Sequence, residues 1–152
     1  MTGLRIPGLR IEVVYLDEHL LELEVVVDNA RFRGTAKVYA SHGVFADLAH
    51  ELSGFPARGG DRREVLLGAP DRTFAGGTVR LGLAADARGR VRVDASLREA
   101  GPPEQNASLQ LELEPAALDR LVATLRQTIP AEGVVVQVPA AGAASTEKRE
   151  TR

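Results

Sequence analysis

The arginines are the side chains of this sequence best suited to recognition chemistry. Of its 19 basic residues 17 are Arg, and only Lys37 and Lys148 are Lys. A guanidinium group presents a planar fork of N–H donors that matches carboxylate and phosphate groups. A GC-rich coding sequence produces the same excess of Arg without any role in binding, so both explanations stay open. The candidate partner contacts are charged residues on predicted outward strand faces and in one predicted loop: Arg31, Arg33, Arg58, Asp61, Arg62, Arg63, Arg90 and Arg92.

The residues needed for catalysis are scarce. The chain has no Cys, which excludes disulfides, thiolate metal sites and a cysteine nucleophile. His42 and His50 are eight residues apart, about 12 Å along a helix, which is too far to share a metal ion. The serines lack the flanking glycines of a nucleophile turn, and the glycine pairs 59–60 and 76–77 do not join a strand to a helix. We therefore expect no catalytic residue, no metal site and no cofactor, and predict that the protein is not an enzyme.

The charge of the chain argues against nucleic acid as a partner. The net charge is −2, and four Phe and two Tyr form no platform on which bases could stack. The charge is uneven, because residues 1–30 carry −4, residues 31–98 carry +5 and residues 99–152 carry −3. The longest apolar runs are a few residues long and the first ten residues lack the apolar stretch of a signal peptide. We therefore expect no membrane segment and a cytoplasmic location.

The elements that position these residues follow from hydrophobic periodicity. Apolar residues three and four positions apart predict helices over about 42–53, with Ser41 as N-cap and Gly54 as stop, and over about 115–129, opened by Pro115. Alternation of apolar and polar residues predicts strands, including a hairpin closed at residues 86–89 with Gly89 at positive φ. The predicted strands cover residues 11–16, 20–28, 31–40, 64–67, 78–85, 90–97 and 109–113.

Two of these segments make specific predictions about which side chains are buried. Over residues 31–40 the alternation turns Phe32 inward together with Gly34, Ala36 and Val38. In the second helix the apolar stripe runs from Leu118 to Ile129.

Opposite charges are expected to pair across neighbouring strands, which contributes about 0.2–1 kcal/mol for each pair. Glu22 and Glu24 would share one solvated face with Arg31, Arg33 and Lys37, and Glu112 and Glu114 would face Arg90 and Arg92.

The order of elements predicts an α+β fold. We expect one antiparallel sheet of about six to seven strands, with both helices packed on one face, in a single domain over residues 1–130. Residues 131–152 are expected to form a flexible tail. Within that tail, residues 134–138 are rich in Val, and the sequence leaves open whether they form an edge strand or an exposed apolar segment.

The layout of the apolar residues resembles a known family. The helical segment 44–52 is followed by Gly54 and Phe55, then by a hairpin and by a strand that runs into the second helix. The chain is similar over residues 10–129 to the bacterial WapI-type immunity proteins, and more so to small actinobacterial proteins of unknown function. Two departures are the absence of an aromatic-rich segment after Phe55 and the presence of Arg90 where relatives often carry His. The residues that carry the resemblance in the hairpin and beyond it are Leu81, Leu83, Asp86, Gly89, Val91, Val93, Leu109, Leu111, Leu113, Leu118, Leu121 and Leu125.

The resemblance implies a non-catalytic protein that binds and neutralises a cognate toxin domain. Two alternatives remain open: a module that binds a small ligand in an apolar pocket between sheet and helices, and a structural module that oligomerises through residues 134–138. The sequence does not indicate whether the protein is a monomer or an oligomer.

Overall fold

The structure, a computed structural model, describes residues 6–143. Within these residues it contains eight strands and two helices, which confirms the α+β class. In chain order they are β1 (Gly8–Leu16), β2 (Leu21–Asp28), β3 (Arg33–Ala40), α1 (Val44–Leu52), β4 (Arg62–Gly68), β5 (Thr78–Ala85), β6 (Val91–Glu99), β7 (Gln105–Leu113), α2 (Pro115–Gln127) and β8 (Val135–Pro139).

The strands form two antiparallel sheets and not one. The first sheet has the order β3-β2-β1-β8 and the second has the order β4-β5-β6-β7. The prediction of a single sheet of six to seven strands was therefore wrong. A period-two pattern shows which face of a strand is buried, but it carries no information about which strands become neighbours.

Both sheets and both helices enclose one apolar core. Strand β3 contacts all four strands of the second sheet, so it runs across them. Helix α1 packs against α2 and β4, and α2 packs against β8. The helices therefore complete a core that the two sheets share, instead of covering one face of one sheet. Arg126 of α2 ties the helices together by donating a hydrogen bond to Ser53 Oγ at 2.8 Å.

The helices begin and end close to the predicted positions, with two corrections. The N-cap of α1 is Gly43 and not Ser41, and no side chain caps it. Gly54 adopts φ +73, as expected of the residue that ends α1. Ile129 is 83 % exposed, because α2 ends at Gln127 and the residue before Pro130 is disfavoured in a helical conformation.

The turn between β2 and β3 explains why the predicted burial of Phe32 was wrong. Phe32, predicted to face inward, is 70 % exposed and precedes the first residue of β3. The Asn29 side chain accepts a hydrogen bond from the Phe32 N–H at 2.8 Å, and the Asn29 N–H donates to the Phe32 carbonyl at 3.1 Å. These bonds hold Phe32 in the turn, outside the alternation of the strand.

The Val-rich segment near the C-terminus is an edge strand. Strand β8 pairs antiparallel with β1, and Val136 and Val138 are buried in the core. The fold therefore continues past residue 130, where the sequence predicted the start of a tail. Residues 144–152 of that predicted tail lie outside the described residues. In the described range 6–143, no helix is both long enough and apolar enough to cross a membrane.

The junction of the two sheets depends on backbone contacts at Gly77. The Gly77 N–H donates to the Lys37 carbonyl at 3.2 Å, and the Gly77 carbonyl accepts from the Ala69 N–H at 3.0 Å. The Lys37 N–H in turn donates to Glu99 Oε1 at 2.8 Å, so the open edge of β3 is bonded to the second sheet. A Cβ at Gly77 would collide with the Arg98 carbonyl oxygen and lie 2.6 Å from that of Lys37.

We expect Gly77→Ala to destabilise the protein by about 2 kcal/mol, because the added methyl group meets backbone on two sides and neither can move independently. Urea denaturation followed by circular dichroism measures this. The matched control is Gly82→Ala in β5, where the nearest atom to the new Cβ is 3.9 Å away and little change is expected. Equal stability of the two variants would contradict the proposed junction.

Candidate functional site

The outward face of the second sheet carries polar side chains that a partner could contact. Successive residues of a strand point to opposite faces, and the Val and Leu residues of the inward set are buried in each strand. The register places the outward residues in four rows across β4, β5, β6 and β7. They are Arg62, Ala84, Arg92, Glu112; Glu64, Gly82, Asp94, Gln110; Leu66, Arg80, Ser96, Ser108; and Gly68, Thr78, Arg98, Asn106.

One end of this face is basic. Five exposed arginines belong to the first row, to the loop before β4 or to the hairpin turn between β5 and β6. A Cβ at Gly59 would lie 3.2 Å from Ala87, so the loop packs against the hairpin turn. We call this surface the basic end, and it consists of Arg58, Arg62, Arg88, Arg90 and Arg92.

Only part of the charge on the basic end is compensated. Arg90 lies 3.5 Å from Glu112, which confirms the predicted pairing of these strands, and Arg92 lies 3.6 Å from Asp94. Arg58, Arg62 and Arg88 have no carboxylate partner among residues 6–143. These three guanidinium groups are therefore available to an acidic partner.

Two of the predicted contact residues hold the loop in place. Asp61 is 9 % exposed, and its carboxylate accepts hydrogen bonds from the N–H groups of Ala57 and Arg62 at 2.8 and 2.9 Å. The Ala57 bond is the main reason that the pKa of Asp61 lies below its usual value. Arg63 donates to Asp61 at 3.0 Å and stacks on the Phe55 ring, 5.3 Å from its centroid. Asp61 and Arg63 thus position Arg58 and Arg62.

Arg31 and Arg33 lie elsewhere, on the first sheet. Arg31 is in the turn before β3, and Arg33 is opposite Asp28. Lys37 is opposite Glu24 as expected, whereas Glu22 is opposite Tyr39. Asn29 of the same turn donates to the Gln110 carbonyl of β7 at 2.9 Å, so the turn borders the edge of the second sheet, and neither arginine belongs to the basic end as defined above.

The other end of the same outward face contains a cleft that the sequence analysis missed. Its volume is about 330 Å³, and three arginines approach it from two strands and one loop. The loop is residues 69–77, which connects β4 to β5. We call it the arginine cleft; its lining includes Asp71, Arg72, Thr78, Arg80, Ser96, Arg98, Asn106 and Ser108.

Glu104 organises the cleft from the loop between β6 and β7. Its carboxylate accepts hydrogen bonds from Arg72 Nε at 2.8 and 3.1 Å and from Arg72 Nη2 at 2.6 Å, and it lies 3.6 Å from Arg98 Nη1. The Arg72 bonds are the main cause that lowers the pKa of Glu104 from 4.5 to about 2. Arg72 and Glu104 are 32 residues apart in two loops. No local spacing predicts such a pair, although the outward position of Arg80 follows from the alternation over residues 78–85.

Comparison of the chain with protein-family models, with curated proteins and with solved structures found no match. Among residues 6–143, no three His, Asp or Glu side chains are grouped closely enough to hold a metal ion.

We expect Glu104→Gln to lower the urea midpoint at neutral pH, because the amide loses the charge that holds Arg72. The folded-state pKa of about 2 lies below the ordinary value of 4.5, so ionised Glu104 stabilises the fold above pH 4.5. This stabilisation is lost as the pH falls from 4.5 to about 2, and the midpoints of the variant and the original chain should converge there. Urea midpoints measured along a pH series test this.

The control is Glu51→Gln on the exposed face of α1, which has no ion-pair partner within the described residues. Its difference from the original chain should stay small across the series. A deficit of Glu104→Gln that is the same at pH 2 and pH 7 would contradict the role of the Arg72–Glu104 pair.

Proposed function

We propose that this protein is a non-catalytic, cytoplasmic protein-binding domain that docks on an acidic surface of a partner protein through its basic end. The observation that carries this proposal is the grouping of Arg58, Arg62 and Arg88 without carboxylate partners, on elements that are rigidly held. Asp61 and Arg63 fix the loop, and the hairpin turn is fixed by Asp86, which accepts the N–H groups of Arg88 and Arg90 at 2.9 and 3.0 Å.

These arginines project from backbone segments that are held by hydrogen bonds, and this favours a protein as their partner. Ordering a long side chain on binding costs conformational free energy, and a preorganised backbone limits that cost to the side chains. Charged groups of this kind guide association and select among partners. The exposed aromatic residues of the described chain are Tyr15, Phe32, Tyr39 and Phe74, and none of them belongs to the basic end, so this surface lacks the rings on which nucleic-acid bases stack.

The resemblance to WapI-type immunity proteins indicates which kind of protein the partner is. We propose a cognate bacterial toxin domain as the partner, with the toxin blocked by occupancy of an acidic region and no reaction on either protein. The structural support is the basic end itself, whose guanidinium groups can pair with carboxylates on the surface of such a domain.

The two alternative functions receive different support from the structure. The space enclosed by both sheets and both helices is about 20 Å³ and is lined by apolar side chains, which does not favour a small ligand there. Val136 and Val138 are buried within this chain, which leaves Val135 as the exposed apolar residue of β8 for a second copy. A polar ligand fits the arginine cleft better than it fits this apolar space.

We expect co-expression of this protein to rescue growth of cells that express the toxin encoded beside its gene. The test is growth of a host carrying each flanking reading frame, with and without this protein. If a toxic neighbour kills cells equally in both cases, the immunity proposal is wrong.

We further expect reversal of the basic end to abolish that rescue. The combined variant Arg58→Glu, Arg62→Glu and Arg88→Glu places negative charge where the proposed partner is acidic, while the contacts of Asp61 and Asp86 remain. The control is Arg120→Glu, a single charge reversal on the exposed face of α2 and outside the basic end. Circular dichroism and thermal melting check that both variants fold, and rescue by the triple variant at the original level would show that another surface binds the partner.

A further inference from the structure

We propose that the arginine cleft binds a small molecule with an oxyanion group, a carboxylate or a phosphate. Nothing in this proposal depends on the basic end. Arg92 and Ser96 are four residues apart on β6, about 13 Å at the rise of a strand, so the two surfaces occupy separate ends of one face.

The arginines of the cleft are held in place before any ligand arrives. Arg98, whose side chain is 14 % exposed, donates to Thr78 Oγ1 at 2.8 Å and to the Gly76 carbonyl at 3.3 Å. Thr78 Oγ1 itself donates to the Ala69 carbonyl at 2.7 Å, and Arg80 Nη2 donates to the Pro70 carbonyl at 2.9 Å. Backbone carbonyls of the 69–77 loop therefore orient the guanidinium groups of Arg80 and Arg98, together with Thr78 in the case of Arg98.

Each arginine keeps donors that the protein does not use. Arg80 Nη1 and Nε, Arg72 Nη1 and Arg98 Nε have no acceptor within residues 6–143. Ser96 and Ser108 are directly opposite each other on β6 and β7 and line the cleft. Their hydroxyl groups also lack a partner in the described part of the chain. A cleft with oriented N–H and O–H donors matches the acceptor-rich surface of a carboxylate or phosphate.

The carboxylates near the cleft already accept hydrogen bonds from groups within the protein. Glu104 is held by Arg72, and the Asp71 carboxylate accepts from the Thr73 N–H at 2.9 Å and from its hydroxyl at 2.5 Å. Three arginines and two carboxylates leave one positive charge, which favours an anion over a neutral molecule. The volume of about 330 Å³ lies at the small end of ligand sites, and it therefore favours a small molecule as the occupant.

The test is a titration of the intact, isotope-labelled chain with inorganic phosphate and, separately, with succinate, followed by NMR at constant ionic strength. Because the ionic strength is constant, the electrostatic screening of the surface arginines does not change during the titration. We expect saturable shifts of the amide signals of Thr78, Ser96 and Ser108. If only phosphate gives saturable shifts, the ligand of the cleft is a tetrahedral anion, and if only succinate does, it is a carboxylate. If neither anion gives saturable shifts, the proposal is overturned.

Two variants and one control separate binding from folding. Arg80→Gln should raise the dissociation constant by roughly tenfold or more, because a charge-assisted hydrogen bond is lost. Ser108→Phe fills the cleft without removing any contact of the 69–77 loop, and should abolish the saturable shifts even if Arg80→Gln disturbs that loop. Arg120→Gln removes an equal charge on α2 and should bind as the original chain does. Unchanged binding by Ser108→Phe would place the anion elsewhere and overturn the assignment.

Discussion

One apolar face of each four-stranded sheet is buried against the other sheet and against the two helices, and the rest of the molecule is arranged around that burial. A sheet in this arrangement has only one face left for solvent. The outward face of the second sheet is consequently a polar surface supported by the core. Its two ends differ because different loops border them: the loop before β4 and a hairpin turn at one end, and the 69–77 loop at the other.

The arginines of that face fall into two groups according to what they bond. At the basic end Arg58, Arg62 and Arg88 have no carboxylate partner in the described residues, and their positions are set indirectly, through Asp61 and Asp86. At the arginine cleft the guanidinium groups bond carbonyls or Glu104 themselves and keep only some donors free. The first arrangement is typical of a surface that meets another surface, and the second of a site that encloses a small group.

Local patterns predicted the elements well where the neighbouring residues alone decide the conformation. The hairpin of β5 and β6, with Gly89 at φ +87, and the start of α2 at Pro115 are confirmed. The burial of two residues was predicted wrongly, because local interactions that the hydrophobic pattern does not reflect decide their positions. Asn29 binds Phe32 within a turn, and Pro130 keeps Ile129 out of the helix.

The sequence by itself determined the α+β class, the buried face of most strands and the outward position of Arg80 and Arg92, because these follow from alternation within one segment. Only the tertiary structure decided that the strands divide into two sheets, that β8 completes the first sheet, and that Arg72 meets Glu104 across 32 residues. The physical reason is that apolar burial is non-directional. It marks a face for the interior, while the choice of neighbour depends on how all the elements pack together.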